Sequence, residues 1–192
     1  METWLASPYL LLFARLTLGG VFLLGTLGKL RDPAGSLAAL KRRAWVPDWA
    51  ARLGVWGLPL LEAVVGGLLL AGLGLQWAAF AAAAMMVVFT ANVLADLSRG
   101  KAEPCHCFGS FSRENVSALT LVRDLALLGL AAALAWHPVH YLALDALFAA
   151  SGAPMPSPVN AVPVGLLALL AVFVVVFGGS FMATIRGFLR AF

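Results

Sequence analysis

Residues 53–95 read LGVWGLPLLEAVVGGLLLAGLGLQWAAFAAAAMMVVFTANVLA, 43 positions of which one, Glu62, carries a charge. A membrane-spanning helix takes about 20 mostly apolar residues. This run is too long for one crossing and long enough for two. Gly72, Gly74 and Gln76 mark the turn between them. Upstream, Pro8 to Gly28 is a second apolar run, broken only by Arg15. Downstream, Val116–Trp136 holds Arg123 and Asp124, and Val162–Ile185 is uncharged throughout. Lipid admits only helices or closed barrels. The expected architecture is therefore all-α: an integral membrane bundle of about five transmembrane helices, a four-helix core plus one, with short interfacial helices. The spans fall at about 8–30, 53–73, 76–97, 116–136 and 162–185, in a single transmembrane domain over residues 1–192. The first span is no cleaved secretory signal, because it lacks a basic leader and its apolar run is too long.

Composition agrees. Of 192 residues 62% are hydrophobic and 11% charged, against about 45–50% and about 25% in soluble domains. One core in a chain of this size cannot hide so much apolar surface. A soluble enzyme, a nucleic-acid binder and a disordered tail are excluded, and the partner that remains is the lipid bilayer. The net charge of +4 reports orientation rather than nucleic-acid binding.

With five spans, one face receives the segment 29–52, the segment 96–115 and the C-terminal tail. These hold Lys29, Arg31, Lys41, Arg42, Arg43, Arg52, Arg99, Lys101, Arg113, Arg186 and Arg190, and the opposite face has no Lys or Arg. The positive-inside rule makes the basic face cytoplasmic and puts the N-terminus outside, in a bacterial-type inner membrane. Asp32-Pro33 reads as an N-cap followed by proline at the first helical position, starting a short surface helix that runs to about Arg43. Trp45, Trp49 and Trp56 suit the interface, where amphipathic rings sit. A second short interfacial helix is expected near Tyr141–Ala150, ahead of the proline-rich 152–158 segment. His137 and His140, beside Trp136 and Tyr141, read as interfacial anchors rather than metal ligands.

Arg15, Glu62, Arg123 and Asp124 fall inside the spans. An unpaired charge at mid-bilayer costs about 2.5–3.5 kcal/mol on insertion scales, so pairing is expected. At about 1.5 Å per residue, Glu62 and Arg123 lie roughly 14 and 11 Å from the same face, level enough to touch. Arg15 is a second partner within reach of Glu62. Pro59 removes a backbone donor beside the carboxylate. Two roles fit these charges: ion pairs that fix helix register, or a polar centre for proton or ligand movement. Met85-Met86 and the pairs Gly19-Gly20, Gly66-Gly67 and Gly178-Gly179 read as packing and close helix approach.

The densest chemistry is Glu103-Pro104-Cys105-His106-Cys107-Phe108-Gly109, just after the third span. Two thiols one residue apart cycle between a dithiol and a strained, labile disulfide, which suits a redox relay. Alternatively Cys105, His106 and Cys107 present soft ligands to copper, zinc or mercury-like ions. Arg99, Lys101 and Arg113 favour the thiolate that either chemistry needs.

Cys105-His106-Cys107-Phe108-Gly109 resembles the C-x-C-F-G signature of the MauE (methylamine utilisation protein E) family, related to DoxX-like membrane proteins. The resemblance takes in Arg15, the Gly28-Lys29-Leu30-Arg31-Asp32-Pro33 run, Pro59-Leu60-Leu61-Glu62 and Leu121-Val122-Arg123, roughly residues 8 to 136. Where that family often carries Asn after the arginine, this chain has Asp124. The resemblance implies a small membrane protein that works with thioredoxin-like partners in disulfide handling while exported proteins mature. That work lies outside, whereas the charge count puts Cys105 and Cys107 at the cytoplasmic edge. Either the pair takes electrons from the cytoplasm for delivery across the membrane, or the segment folds into the bundle.

The leading expectation is thus an inner-membrane thiol–disulfide redox protein with Cys105 and Cys107 as the reacting pair, supported by Arg15, Glu62, Arg123 and Asp124. The redox-active disulfide is its chemistry, and no further cofactor is expected, quinone and flavin having no signature here. The alternatives are soft-metal binding or transport through Cys105, His106 and Cys107, and a non-catalytic assembly factor docking a redox enzyme through the basic 41–52 segment.

Overall fold

In a computed structural model the protein is described over residues 7–42, 46–99, 117–137 and 158–189, with side chains of the last stretch at 162–178. The described residues form six helices and no strand: α1 (Pro8–Arg31), α2 (Pro33–Lys41), α3 (Asp48–Ala71), α4 (Leu75–Ser98), α5 (Ala118–Trp136) and α6 (Pro158–Leu189). Four of them, α1, α3, α4 and α5, are long and apolar enough to cross a membrane, and α6 adds a shorter apolar stretch at Val162–Gly178. The all-helical membrane bundle expected from the sequence is borne out.

The helix ends follow local chemistry. Asp32 closes α1 and opens α2, its Oδ1 accepting from the Gly35 N–H at 2.9 Å, with Pro33 at the first helical position. That surface helix is the one the Asp32-Pro33 pair predicts. Between α3 and α4 the chain turns on Gly72 (φ 69°) and Gly74 (φ 54°), left-handed conformations that glycine adopts without strain. Gln76 already lies within α4. The α3 helix starts five residues before the expected span, at Asp48. Apolar content sets the span, but the helix begins where Pro47, held extended, ends the preceding chain and an acid occupies the first turn. Ser117 caps α5 by accepting from the Thr120 N–H at 3.4 Å. Residues 138–157, where the second interfacial helix was expected, lie outside the described residues, as does Trp45.

The helix at the centre is α1. It packs against α2, α3, α5 and α6, while α4 bridges α3 and α5. In the spanning part of α1, 61% of residues are buried, against 28–33% in α3, α4 and α5. The α1–α3 seam is close because both sides are glycine where they cross. A Cβ on Gly66 would lie 3.0 Å from the Gly19 carbonyl oxygen, and one on Gly19 would lie 2.7 Å from Leu70 Cγ. Small residues at such crossings let helix backbones approach in lipid, where dispersion rather than the hydrophobic effect drives packing. The outward surface is as apolar as the core: Leu60, Val88, Val122, Leu169 and Phe173 are all exposed. Exposed tryptophans sit near the helix ends, Trp49 and Trp56 in the first part of α3, Trp77 at the start of α4 and Trp136 at the end of α5. This is a multi-pass membrane protein with an apolar exterior and an apolar core that encloses a few buried charged side chains.

Candidate functional site

The most deeply buried ion pair is built around Glu62. Its two carboxylate oxygens accept from Lys29 Nζ at 2.7 and 2.8 Å, and the two residues are only 5% and 1% exposed. The ammonium also lies 5.6 Å from the centre of the Phe89 ring on α4, within cation–π range. Three helices therefore meet on one cation. Close by on the same seam, Thr26 Oγ1 lies 3.0 Å from the Phe22 carbonyl of its own helix and 3.2 Å from the Pro59 carbonyl of α3. Pro59 is buried inside α3, which continues through it.

Two expectations are corrected here. Lys29 does not belong to the exposed basic segment; it is a core residue. In a helix every Cα–Cβ bond tilts toward the N-terminus. A lysine in the last turn of α1 therefore sends its chain back into the bundle rather than out of it. The partner of Glu62 is accordingly Lys29, neither Arg123 nor Arg15. Arg15 is buried at 3% exposure, but it lies 14 positions from Lys29 on the same helix, about 21 Å along the axis.

Arg123 and Asp124 make the second pair. Arg123 Nε and Nη2 donate to Asp124 Oδ1 at 3.2 and 3.1 Å, and Nη1 donates to the Val175 carbonyl of α6 at 3.4 Å. The guanidinium thus fastens the last helix to α5. Asp124 is 3% exposed, and its Oδ2 has no hydrogen-bond partner among the described residues. A buried acceptor left in that state costs about 1–3 kcal/mol. Glu62 and Asp124 both line a small cavity of about 20 Å³ between α1, α3, α4 and α5, closed by Phe22, Met86, Phe89 and Leu127. Of the four intramembrane charges that the sequence singles out, the structure brings Glu62 and Asp124 to one cavity, sets Arg123 beside Asp124 and leaves Arg15 toward the other end of α1.

Sequence reasoning missed Lys29, Thr26 and Phe89. One signal for Lys29 was available, since the first span as drawn, 8–30, already contained it. Cys105, His106 and Cys107 lie outside the described residues, between the end of α4 and the start of α5. Among the described residues no group of His, Cys, Asp and Glu is arranged to hold a metal ion.

A helical membrane bundle with paired charges buried at its centre is the class of protein this geometry defines. The family model for methylamine utilisation protein MauE matches residues 7–137. A curated relative, methylamine utilization protein MauE of Paracoccus denitrificans, is 34% identical over 137 residues, covering 70% of this chain and 73% of its own length. The chain belongs to the MauE family. The match takes in α1 to α5 and stops before α6. No solved structure matches it.

Proposed function

We propose that this chain is a membrane thiol–disulfide exchange protein in which Cys105 and Cys107 react with a thioredoxin-like partner. The observation that carries the proposal is that the chain's two cysteines stand one residue apart in Cys105-His106-Cys107-Phe108-Gly109, within the part matched by the family model. In the exchange, one thiolate attacks a partner disulfide, forming a mixed disulfide and releasing one partner thiolate. The second cysteine, as thiolate, attacks its neighbour's sulfur in that mixed disulfide. The products are the Cys105–Cys107 disulfide and a partner dithiol, with two electrons passed to the partner and the two protons lost by Cys105 and Cys107 taken up, by way of solvent or base, by the two partner thiolates. The reverse sequence oxidises the partner by the same steps. The name of the Paracoccus relative points to methylamine utilisation as the setting.

The other ten basic residues that the sequence assigns to one face support a cytoplasmic position for that face and for the C-terminus, with the N-terminus outside a bacterial inner membrane. Activity reporters fused to the C-terminus will be active only in the cytoplasm on this reading.

Thiol trapping in isolated membranes tests the exchange. With reductant, both cysteines are expected to take an alkylating mass tag, and after mild oxidation neither. Thiols that stay free under oxidation, together with a Cys105→Ser/Cys107→Ser chain that still supports growth on methylamine, would overturn it. Stoichiometric copper or zinc in the purified protein, lost on Cys105→Ser, would move the assignment to metal binding. Partner co-purification that survives the double substitution, with growth intact, would move it to assembly.

A further inference from the structure

The geometry points to a binding site for one water molecule in the middle of the bundle, held between Asp124 and Glu62. This inference rests on the described helices alone and is independent of the thiol chemistry. Three observations converge on it. Asp124 Oδ2 is a buried carboxylate oxygen without a hydrogen-bond partner among the described residues, whereas Oδ1 of the same carboxylate accepts twice from Arg123. Asp124 lines a cavity of about 20 Å³, and about 10–15 Å³ is enough for one water given polar partners. The second polar residue on that cavity is Glu62, whose oxygens each accept once from Lys29 and retain capacity to accept again.

The charge balance selects the ligand class. Each carboxylate already has its own cation, Lys29 for Glu62 and Arg123 for Asp124. A further cation would leave the centre with excess positive charge in a low-dielectric interior, which is unfavourable. What the two acceptors lack is a neutral donor with two hydrogens, and water has that valence and that size. Bound there, it donates one hydrogen to Asp124 Oδ2 and the other to Glu62. The two ion pairs then become one hydrogen-bonded chain, Lys29–Glu62–water–Asp124–Arg123, running from α1 through α3 to α5 and on to the α6 carbonyl of Val175. The surrounding Val21, Phe22, Phe89 and Leu127 offer it no competing acceptor from their side chains, and the Met86 thioether is only a weak one.

The experiment is a structure of the full chain in lipid at a resolution that shows ordered water, paired with thermal unfolding of Gly25→Ala. The expected map has one water-sized peak within hydrogen-bond distance of Asp124 Oδ2 and of a Glu62 oxygen. A direct carboxyl–carboxylate contact, or no peak at all, would overturn the site. Gly25 lines the same cavity. Its added methyl is expected to displace the water and lower Tm by about 2–4 °C, although alanine is the better helix former. A rise in Tm would mean that the cavity is dry and that the substitution merely fills it. Unfolding of the unsubstituted protein in sodium chloride and in choline chloride separates water from a small cation. Equal Tm values are expected, and stabilisation by sodium would assign the site to the ion instead.

Discussion

The two buried ion pairs are built on opposite plans. Lys29 and Glu62 lie 33 positions apart in the chain, on different helices, and the ammonium engages both carboxylate oxygens. Arg123 and Asp124 are adjacent in sequence, on one helix, and the guanidinium engages one oxygen of the two. The first pair is satisfied and long-range, so it fixes how α1 sits against α3. The second is local and leaves Oδ2 over, so the contact between the two charges joins no two helices, the tie to α6 coming from the Arg123 bond to the Val175 carbonyl, and an acceptor is left for something else. A buried pair can thus act as a clamp or as a partly open site, and how completely its carboxylate is satisfied decides which.

The largest expected effect follows from breaking the clamp. Glu62→Gln removes the negative charge and leaves the Lys29 ammonium buried without its counter-charge. Loss of one member of a buried pair is expected to cost about 3–5 kcal/mol, read as a fall in Tm or in the denaturant midpoint in a fixed detergent. The double substitution Lys29→Met/Glu62→Gln should recover most of that loss, because no stranded charge remains. If the single and double variants were equally unstable, the clamp would be packing rather than electrostatics.

The clamp was half visible in the sequence. A lone acid in a 43-residue apolar run announces that it needs a partner, and the run itself announces two helices. The partner was hidden because Lys29 sits at the flank of its span, where a basic residue ordinarily reports orientation. Only the N-terminal tilt of helical side chains carries it inward. The second pair was hidden for another reason. Neighbouring residues on a helix do not face each other, so Arg123 and Asp124 read as two charges seeking partners on other helices. The long arginine stem instead curls back to Asp124 and reaches α6. The role of α6 was illegible altogether, since it presents a backbone carbonyl, Val175, which no side-chain pattern announces. The thiol pair is the converse case, plain in sequence and outside the described structure.

A smaller effect is expected at the second pair. Asp124→Asn keeps an acceptor for Arg123 and places an amide, itself a donor, beside the cavity. Arg123 retains its bond to Val175 and is less deeply buried than Lys29, with side-chain exposure of 15% against 6%. The expected loss is about 1–2 kcal/mol, well below that of Glu62→Gln under the same conditions. A loss equal to that of Glu62→Gln would erase the distinction between the two plans and make Asp124 a second clamp.

The smallest effect belongs to Thr26, which ties the same two helices as the clamp but without charge. Its hydroxyl has one hydrogen and two carbonyls within reach, Phe22 on its own helix and Pro59 across the seam. Thr26→Val keeps the shape and removes the hydrogen bond. An interhelical bond of this kind in a membrane protein averages about 0.6 kcal/mol, and here the hydrogen divides its time with an intrahelical acceptor, so that figure is the upper end of the expected loss. Both carbonyls lie inside helices, where they accept from backbone N–H groups, so no buried acceptor is stranded, whereas Glu62→Gln strands a buried charge. The informative measurement is the double-mutant cycle of Thr26→Val with Glu62→Gln. If the glycine crossing at Gly19 and Gly66 holds the seam in place once the clamp is gone, the two losses add. A coupling as large as the Thr26→Val loss itself, so that Thr26→Val costs nothing once Glu62→Gln is present, would instead show that the Lys29–Glu62 pair, rather than the close backbone packing, brings Thr26 to Pro59.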